Sequence, residues 1–203
     1  MSPSSIVVFD LGEVLVPSAG VLPRLAAEVG VSTDELSPAY WRHRRSYDLG
    51  GDEVTYWESV VSLLGREPDP LLIRRLSEMD AAKWSVLPAV SQVLLDQLTD
   101  VRLGLLSNAP APLASSVRAA GWTAALDVLV FSADLGLAKP DPQIYVGADT
   151  AYETAPADVV FFDDRQDNVA AARTHGWDAH LWVRGTTAAD VLAVHNEART
   201  RSR

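Results

Sequence analysis

The sequence predicts an α/β fold, a doubly wound parallel sheet with an inserted all-helical block, and three observations carry that expectation. Ile6-Val7-Val8-Phe9 is an uninterrupted apolar run that ends in a single carboxylate, Asp10, as a strand buried on both faces would. From about Pro17 to Ala82 the apolar spacing is helical throughout, with no strand-like run. From Trp84 onward, short apolar runs alternate with helical stretches, the pattern of a parallel sheet.

Within the helical block, Val21, Leu22, Leu25, Ala26 and Val29 recur at helix spacing and Gly30 is a stop signal. Thr33 is positioned to cap a second helix running into Tyr40-Trp41-Arg42-His43-Arg44-Arg45 and Tyr47, before a Gly50-Gly51 break. Helices over Thr55 to Leu64 and Pro70 to Met79 follow. The alternating half reads as helix Pro88 to Leu98, strand Val101 to Leu106, helix Pro112 to Ala120 and strand Val128 to Phe131. Helix Pro142 to Tyr152, strand Val159 to Phe162, helix Asn168 to His175, strand Ala179 to Val183 and helix Thr187 to Ala198 complete it. Residues 1–16 and 83–203 are thus expected to form the core and 17–82 an inserted cap, with Arg199 to Arg203 a frayed, solvated tail.

Composition narrows the function. At 203 residues, 48% hydrophobic and 22% charged, the chain can bury a core of one domain plus an insertion. Seventeen Lys+Arg against twenty-seven Asp+Glu give a net charge of −10, a field that disfavours nucleic acid or an anionic membrane as partner. The absence of cysteine excludes disulfides, thiolate metal sites and a cysteine nucleophile. Met1 to Ser5 holds no basic residue, and the apolar run after it is too short for a signal or a membrane span, so a cytoplasmic location is expected, as a monomer or weak homodimer.

Each expected strand end carries polar residues that packing does not require. Asp10 follows the first strand, Ser107-Asn108 the second and Asp163-Asp164 the fourth, while Lys139 lies in the loop after the third. In a parallel sheet those ends share one edge, where ligands bind. Singly, each has an ordinary explanation: a turn Asp, a helix-capping Ser-Asn, a solvated lysine, an acid pair at a helix N-terminus. Together, carboxylates with one lysine and one hydroxyl are the groups that magnesium-assisted phosphoryl transfer to a carboxylate needs. The metal takes hard oxygen ligands, and metal and lysine offset the repulsion between nucleophile and phosphate. In the block, Trp41, Arg42, His43, Arg44, Tyr47 and Trp57 combine aromatic faces with donors; His43 and Arg44 are the candidate substrate contacts there, although packing of an amphipathic helix explains the same pattern.

Phe9-Asp10-Leu11-Gly12-Glu13-Val14-Leu15, Leu106-Ser107-Asn108, Lys139-Pro140-Asp141-Pro142 with Ile144-Tyr145, and Phe162-Asp163-Asp164-Arg165-Gln166-Asp167-Asn168-Val169 resemble, in order and spacing, the four motifs of the haloacid dehalogenase superfamily. The resemblance spans essentially the whole chain. It implies a Rossmann-like core with a helical cap, an aspartyl-phosphate on Asp10, and Mg2+ held by Asp10, the Gly12 carbonyl and Asp164, with Asp163 acting through water or orienting the ligands. Ser107, with Asn108, and Lys139 would bind the phosphate of a small phosphorylated metabolite, and Lys139 would also neutralise the nucleophile. One departure stands out: most phosphatases of the superfamily carry a second aspartate, the general acid, two residues after the nucleophile, where this chain has Gly12. The form Asp-Leu-Gly-x-Val is similar to a branch that includes sugar-1-phosphate phosphatases. A metal-independent 2-haloacid dehalogenase and a catalytically silent domain binding a phosphorylated ligand or a protein are the alternatives.

Overall fold

The computed structural model describes residues 5–201; the Met1 to Ser4 part of the N-terminal reading and Ser202-Arg203 of the expected tail lie outside it. Five strands, β1 (Ile6–Phe9), β2 (Arg102–Ser107), β3 (Val128–Phe131), β4 (Val159–Asp163) and β5 (Asp178–Leu181), pair in parallel in the order β3-β2-β1-β4-β5. The first strand is central because it is apolar on both faces. Val7 and Phe9 enter one core cluster with Leu95, Leu105 and Phe131, whereas Ile6 and Val8 enter the other with Tyr145, Tyr152 and Phe161. Helices α6 (Ala89–Asp96), α7 (Ala111–Arg118), α9 (Pro142–Tyr152), α10 (Gln166–His175) and α11 (Ala188–Arg201) cover the sheet, and α8 (Ser132–Leu135) adds a single turn after β3.

Between β1 and α6 the chain is helical: α1 (Val21–Val29), α2 (Thr33–Arg42), α3 (Arg44–Asp48), α4 (Glu53–Leu63) and α5 (Pro70–Trp84). Gly30 closes α1 in the left-handed conformation, as its position required. Several expectations shift. Ser32, not Thr33, caps α2, because its hydroxyl reaches the Glu35 N–H while the Glu35 carboxylate returns to the Ser32 N–H. The second helix breaks at His43, so its basic-aromatic run is split between two helices. Helix α5 runs on to Trp84, since Ala81, Ala82 and Lys83 contain no breaker, and the C-terminal helix continues through the expected frayed tail to Arg201.

The block has its own core, with Leu25, Leu36, Tyr40, Trp57, Val60 and Leu76 buried together. Among them is an ion cluster. Arg44 donates from Nε to Asp48 Oδ1 at 2.8 Å and from Nη1 to Asp80 Oδ2 at 2.9 Å, and also to the Tyr40 hydroxyl; Tyr40 donates to Asp80 Oδ1 at 3.0 Å. Two carboxylates share one guanidinium, and burial pushes Asp48 from its ordinary 3.8 up to about 6 despite Arg44. A carboxyl whose folded pKa is raised binds more protons folded than unfolded between those values, so its contribution to stability falls as pH rises through that window. Asp48→Asn removes this dependence. On going from pH 4.5 to 7, the unfolding free energy of the native chain should drop relative to that of the variant by about 2 kcal/mol, measurable by urea denaturation at the two pH values; parallel changes would refute the assignment to Asp48.

Candidate active site

The strand order places the chemistry-bearing ends side by side. With β1 flanked by β2 and β4, Asp10, Ser107 and Asp163 emerge at one edge, and the Asp10 N–H prolongs the ladder by donating to Phe162 O at 2.9 Å. Immediately after, the chain turns sharply: Val16 bridges back to Gly12, and Glu13 adopts a left-handed φ of +56°. The loop thereby carries Gly12 over the strand ends while the Glu13 carboxylate is tied to Ser18, accepting from its backbone N–H at 2.8 Å.

Lys139 reaches into the middle of this edge. Its ammonium donates to Asp10 Oδ1 at 2.8 Å, Asp163 Oδ2 at 2.7 Å and the Leu106 carbonyl at 2.7 Å, and only 1% of the side chain is exposed. All three N–H donors are therefore engaged, and the lysine is a neutraliser of carboxylates in this arrangement before it is a phosphate contact. Burial opposes its charge, but Asp10 and Asp163 outweigh that and hold its pKa above the ordinary value. For Asp10 the balance goes the other way: burial, with the charge of Asp163 added, overcomes Lys139 and pushes the carboxyl up to about 6.

Asp163 is fully buried and saturated. Besides Lys139, its oxygens accept from Asn168 Nδ2 at 2.9 and 3.0 Å and from the Arg165 N–H at 2.8 Å. Asp164 next to it is half-buried, and its carboxylate has no side-chain partner among the described residues. Burial and the Asp163 charge raise its pKa.

Asp10, Asp163 and Asp164 each offer an oxygen, all within 4.8 Å of one another. Three carboxylates against one ammonium leave two negative charges, all the free donors are hard oxygens, and the buried Asn168 Oδ1 beside them has no hydrogen-bond partner. That donor set fits a magnesium ion that keeps part of its water shell.

The remaining candidates divide. Ser107 is buried and lines the cavity, with no side-chain partner among the described residues. Asn108 lines it too, but its amide is spent on bracing: Nδ2 donates to Lys139 O at 2.9 Å and Oδ1 accepts from Lys139 N at 2.8 Å. It positions the lysine rather than reaching for a ligand. Arg44 lines the cavity with its donors turned to Asp48, Asp80 and Tyr40. His43 does not join the site. At the break between α2 and α3 it is exposed and faces a separate groove with Ser46, Asp52 and Thr55, because the non-helical backbone there turns it away.

Sequence reasoning assigned no role to Asp80, Trp84 or Asn168. For Asp80 a signal existed: it continues the buried stripe Ile73, Leu76, Ser77 of α5, and a charge on an apolar stripe calls for a buried partner. Trp84, which lines the cavity, carried no such local sign.

A family model for haloacid dehalogenase-like hydrolases matches residues 5–176, from before β1 to the end of α10. The chain belongs to that family. Among its relatives is the validoxylamine A 7'-phosphate phosphatase of Streptomyces hygroscopicus subsp. limoneus, 34% identical over an alignment of 130 residues that covers 59% of this chain and 58% of that one. The match thus spans little more than half of the relative's length. The fold is that of L-2-haloacid dehalogenase from Xanthobacter autotrophicus with chloropropionic acid covalently bound (TM-score 0.74, 18% identity, covering 90% of this chain and 79% of that one). It is also similar to that of a mutant haloacid dehalogenase family enzyme from Bacteroides thetaiotaomicron in complex with magnesium and inorganic phosphate (TM-score 0.70, 17% identity, covering 90% of this chain and 96% of that one). Among the described residues no helix is long and apolar enough to cross a membrane.

The bracing geometry makes a prediction separate from catalysis. Asn108→Ala should lower the unfolding free energy by about 1–3 kcal/mol, because two buried backbone groups of Lys139 lose their partners. Ser107→Ala should stay within about 0.5 kcal/mol, having no bond to lose. Equal losses in denaturant titrations would show that Asn108 braces nothing.

Proposed function

We propose that this hydrolase is a magnesium-dependent phosphatase of a small phosphorylated metabolite, acting through an aspartyl-phosphate on Asp10. The observation that carries the reading is the charge imbalance at the sheet edge, where Asp164 stands unpartnered beside Asp10. The phosphatase relative supports it. Asp10 and Asp164, with the Gly12 carbonyl, are the residues that would hold the ion, and Asp163 would orient them, its own oxygens being occupied. When bound, the ion supplies positive charge that keeps Asp10 ionised and offsets repulsion between carboxylate and phosphate.

The steps left to the protein follow. Lys139 fixes one oxygen of Asp10, leaving the other to attack phosphorus. The Ser107 hydroxyl, without a side-chain partner among the described residues, donates to a phosphate oxygen. Water then attacks the aspartyl-phosphate and restores Asp10. Asp10→Asn should abolish phosphate release without unfolding the chain, since the amide occupies the same volume but forms no acyl phosphate. Asp164→Asn should raise the magnesium concentration for half-maximal rate more than Asp163→Asn does; the reverse order in a magnesium titration would exchange their roles.

Gly12 limits the leaving group. Glu13, the nearest acid in sequence, is held on Ser18, so no side chain at position 12 gives the departing oxygen a proton, a loss of about 10²–10⁴-fold for a basic alkoxide. An anomeric hydroxyl is more acidic than a primary alcohol, so a sugar 1-phosphate should be hydrolysed faster than the matching 6-phosphate at saturating magnesium. A faster 6-phosphate would mean that another group supplies the proton. Release of chloride from a 2-haloacid without magnesium, in place of phosphate release, would favour the dehalogenase chemistry.

A further inference from the structure

The indole of Trp84 stands beside the place where a side chain at position 12 would begin. A Cβ built on Gly12 would lie 3.6 Å from Cζ3 and 3.8 Å from Cη2 of that ring, ordinary van der Waals contact. The benzo edge therefore rests beside bare backbone two residues from the nucleophile. Trp84 is the last residue of α5 and packs against both the helical block's core and one core of the sheet. Its Nε1 points to Asp80 Oδ1 at 3.4 Å, and Asp80 is itself fixed by Arg44 and Tyr40. A ring held from both sides in this way is a rigid wall, and it lines the cavity that contains Asp10, Ser107 and Lys139.

The cavity has a volume of about 350 Å³, towards the small end of the ~300–1,000 Å³ range of ligand sites. The sheet edge gives it a polar floor, Arg44, Asp48 and Arg165 add further polar lining, and Trp84, Trp41, Tyr40 and Leu113 supply aromatic and apolar lining, with Trp41 57% exposed. A phosphate on the floor leaves room for one ring against an aromatic wall, and a flat C–H or aromatic face is what an indole binds best.

We propose that Trp84 is a specificity-determining residue that selects phosphate monoesters of single-ring hydroxyl compounds by stacking the ring's face beside Gly12. This rests on the phosphatase reading of the site and names its substrate class. In the reaction, an Asp10 oxygen bonds to phosphorus as the P–O ester bond breaks, and the electron pair passes to the ester oxygen, which takes its proton from water. A second water attacks phosphorus and breaks the bond to Asp10, and the proton it releases balances the one consumed. The products are the ring alcohol and inorganic phosphate. The indole contributes no proton; it orients the ring.

The test compares phenyl phosphate, glucose 1-phosphate and ringless acetyl phosphate at saturating magnesium, for the native enzyme, Trp84→Leu and Trp84→Phe. In Trp84→Leu the kcat/KM for ring esters should fall about five- to tenfold, through KM, while acetyl phosphate changes less than twofold; Trp84→Phe should recover most of the loss. A loss confined to one of the two ring esters supports the proposal and tells an aryl from a sugar ring. Equal losses for all three compounds, or none, overturn it. The native enzyme gives a second measurement that does not depend on the variants folding: phenylphosphonate should bind at least fivefold more tightly than methylphosphonate, and equal binding overturns the ring contact. If the native enzyme releases phosphate from no monoester, the phosphatase reading fails, while the phosphonate pair, measured on the native chain and on Trp84→Leu, still decides whether Trp84 faces a ring.

Discussion

The ammonium of Lys139, held at 2.7–2.8 Å from two buried carboxylates, is the interaction on which the site depends. Asp10 and Asp163 leave adjacent strands, β1 and β4, and without a cation between them two charges of one sign would be buried side by side. The lysine comes from a loop beyond β3, two strands away from β1, so its backbone is clamped by Asn108 at the end of β2. One ion triad thus ties together the C-terminal edge of the sheet. It also leaves the edge under-neutralised, which is why burial can push Asp10 up to about 6 although a lysine touches it. A carboxylate in that state gains from a further cation.

A second cluster of the same arithmetic sits in the helical block. Arg44 faces Asp48 and Asp80, again two carboxylates for one cation, but here every partner turns inward, and burial raises Asp48 as it raises Asp10. The difference is access. Asp164 opens onto the cavity without a side-chain partner among the described residues, whereas Asp80 is closed off by Tyr40, Arg44 and the indole of Trp84. Arg44 therefore bears on the cavity through Asp80 and the ring that Asp80 faces.

Much of this was legible in the residues. Strands β1 and β3 and helix α9 have the bounds their composition predicts, the single turn α8 was not foreseen, and the other strands and helices of the sheet half differ by one to three residues at their ends. Asp10, Ser107, Lys139, Asp163 and Asp164 converge because strand ends of a parallel sheet share an edge, an inference that needs only the alternation of elements. What was not legible depends on contacts between distant segments. The run from Tyr40 to Tyr47 looks like one helix, yet a break at His43 sends that imidazole to another groove. Trp84 marks the seam of block and core, and its neighbour Gly12 is 72 residues earlier in the chain, beyond the reach of periodicity.

The absence of an acid at position 12 is compatible with either branch of the family's chemistry, so the decision falls on Asp164. A haloacid carries one negative charge and expels a halide that needs no proton; an unpaired carboxylate facing the cavity would only repel it and raise the cost of burying Asp10. A phosphate monoester brings more negative charge still, and would be disfavoured more strongly if the protein's groups acted alone. The same carboxylate would change sign in effect with a divalent cation held by the acids of this edge, because two uncompensated charges would then become ligand charges. Unpartnered acidity at this edge is thus a liability for an anionic substrate without metal and an asset with it. The geometry of Asp10, Asp163 and Asp164 favours the metal-assisted branch on electrostatic grounds that hold whatever the leaving group.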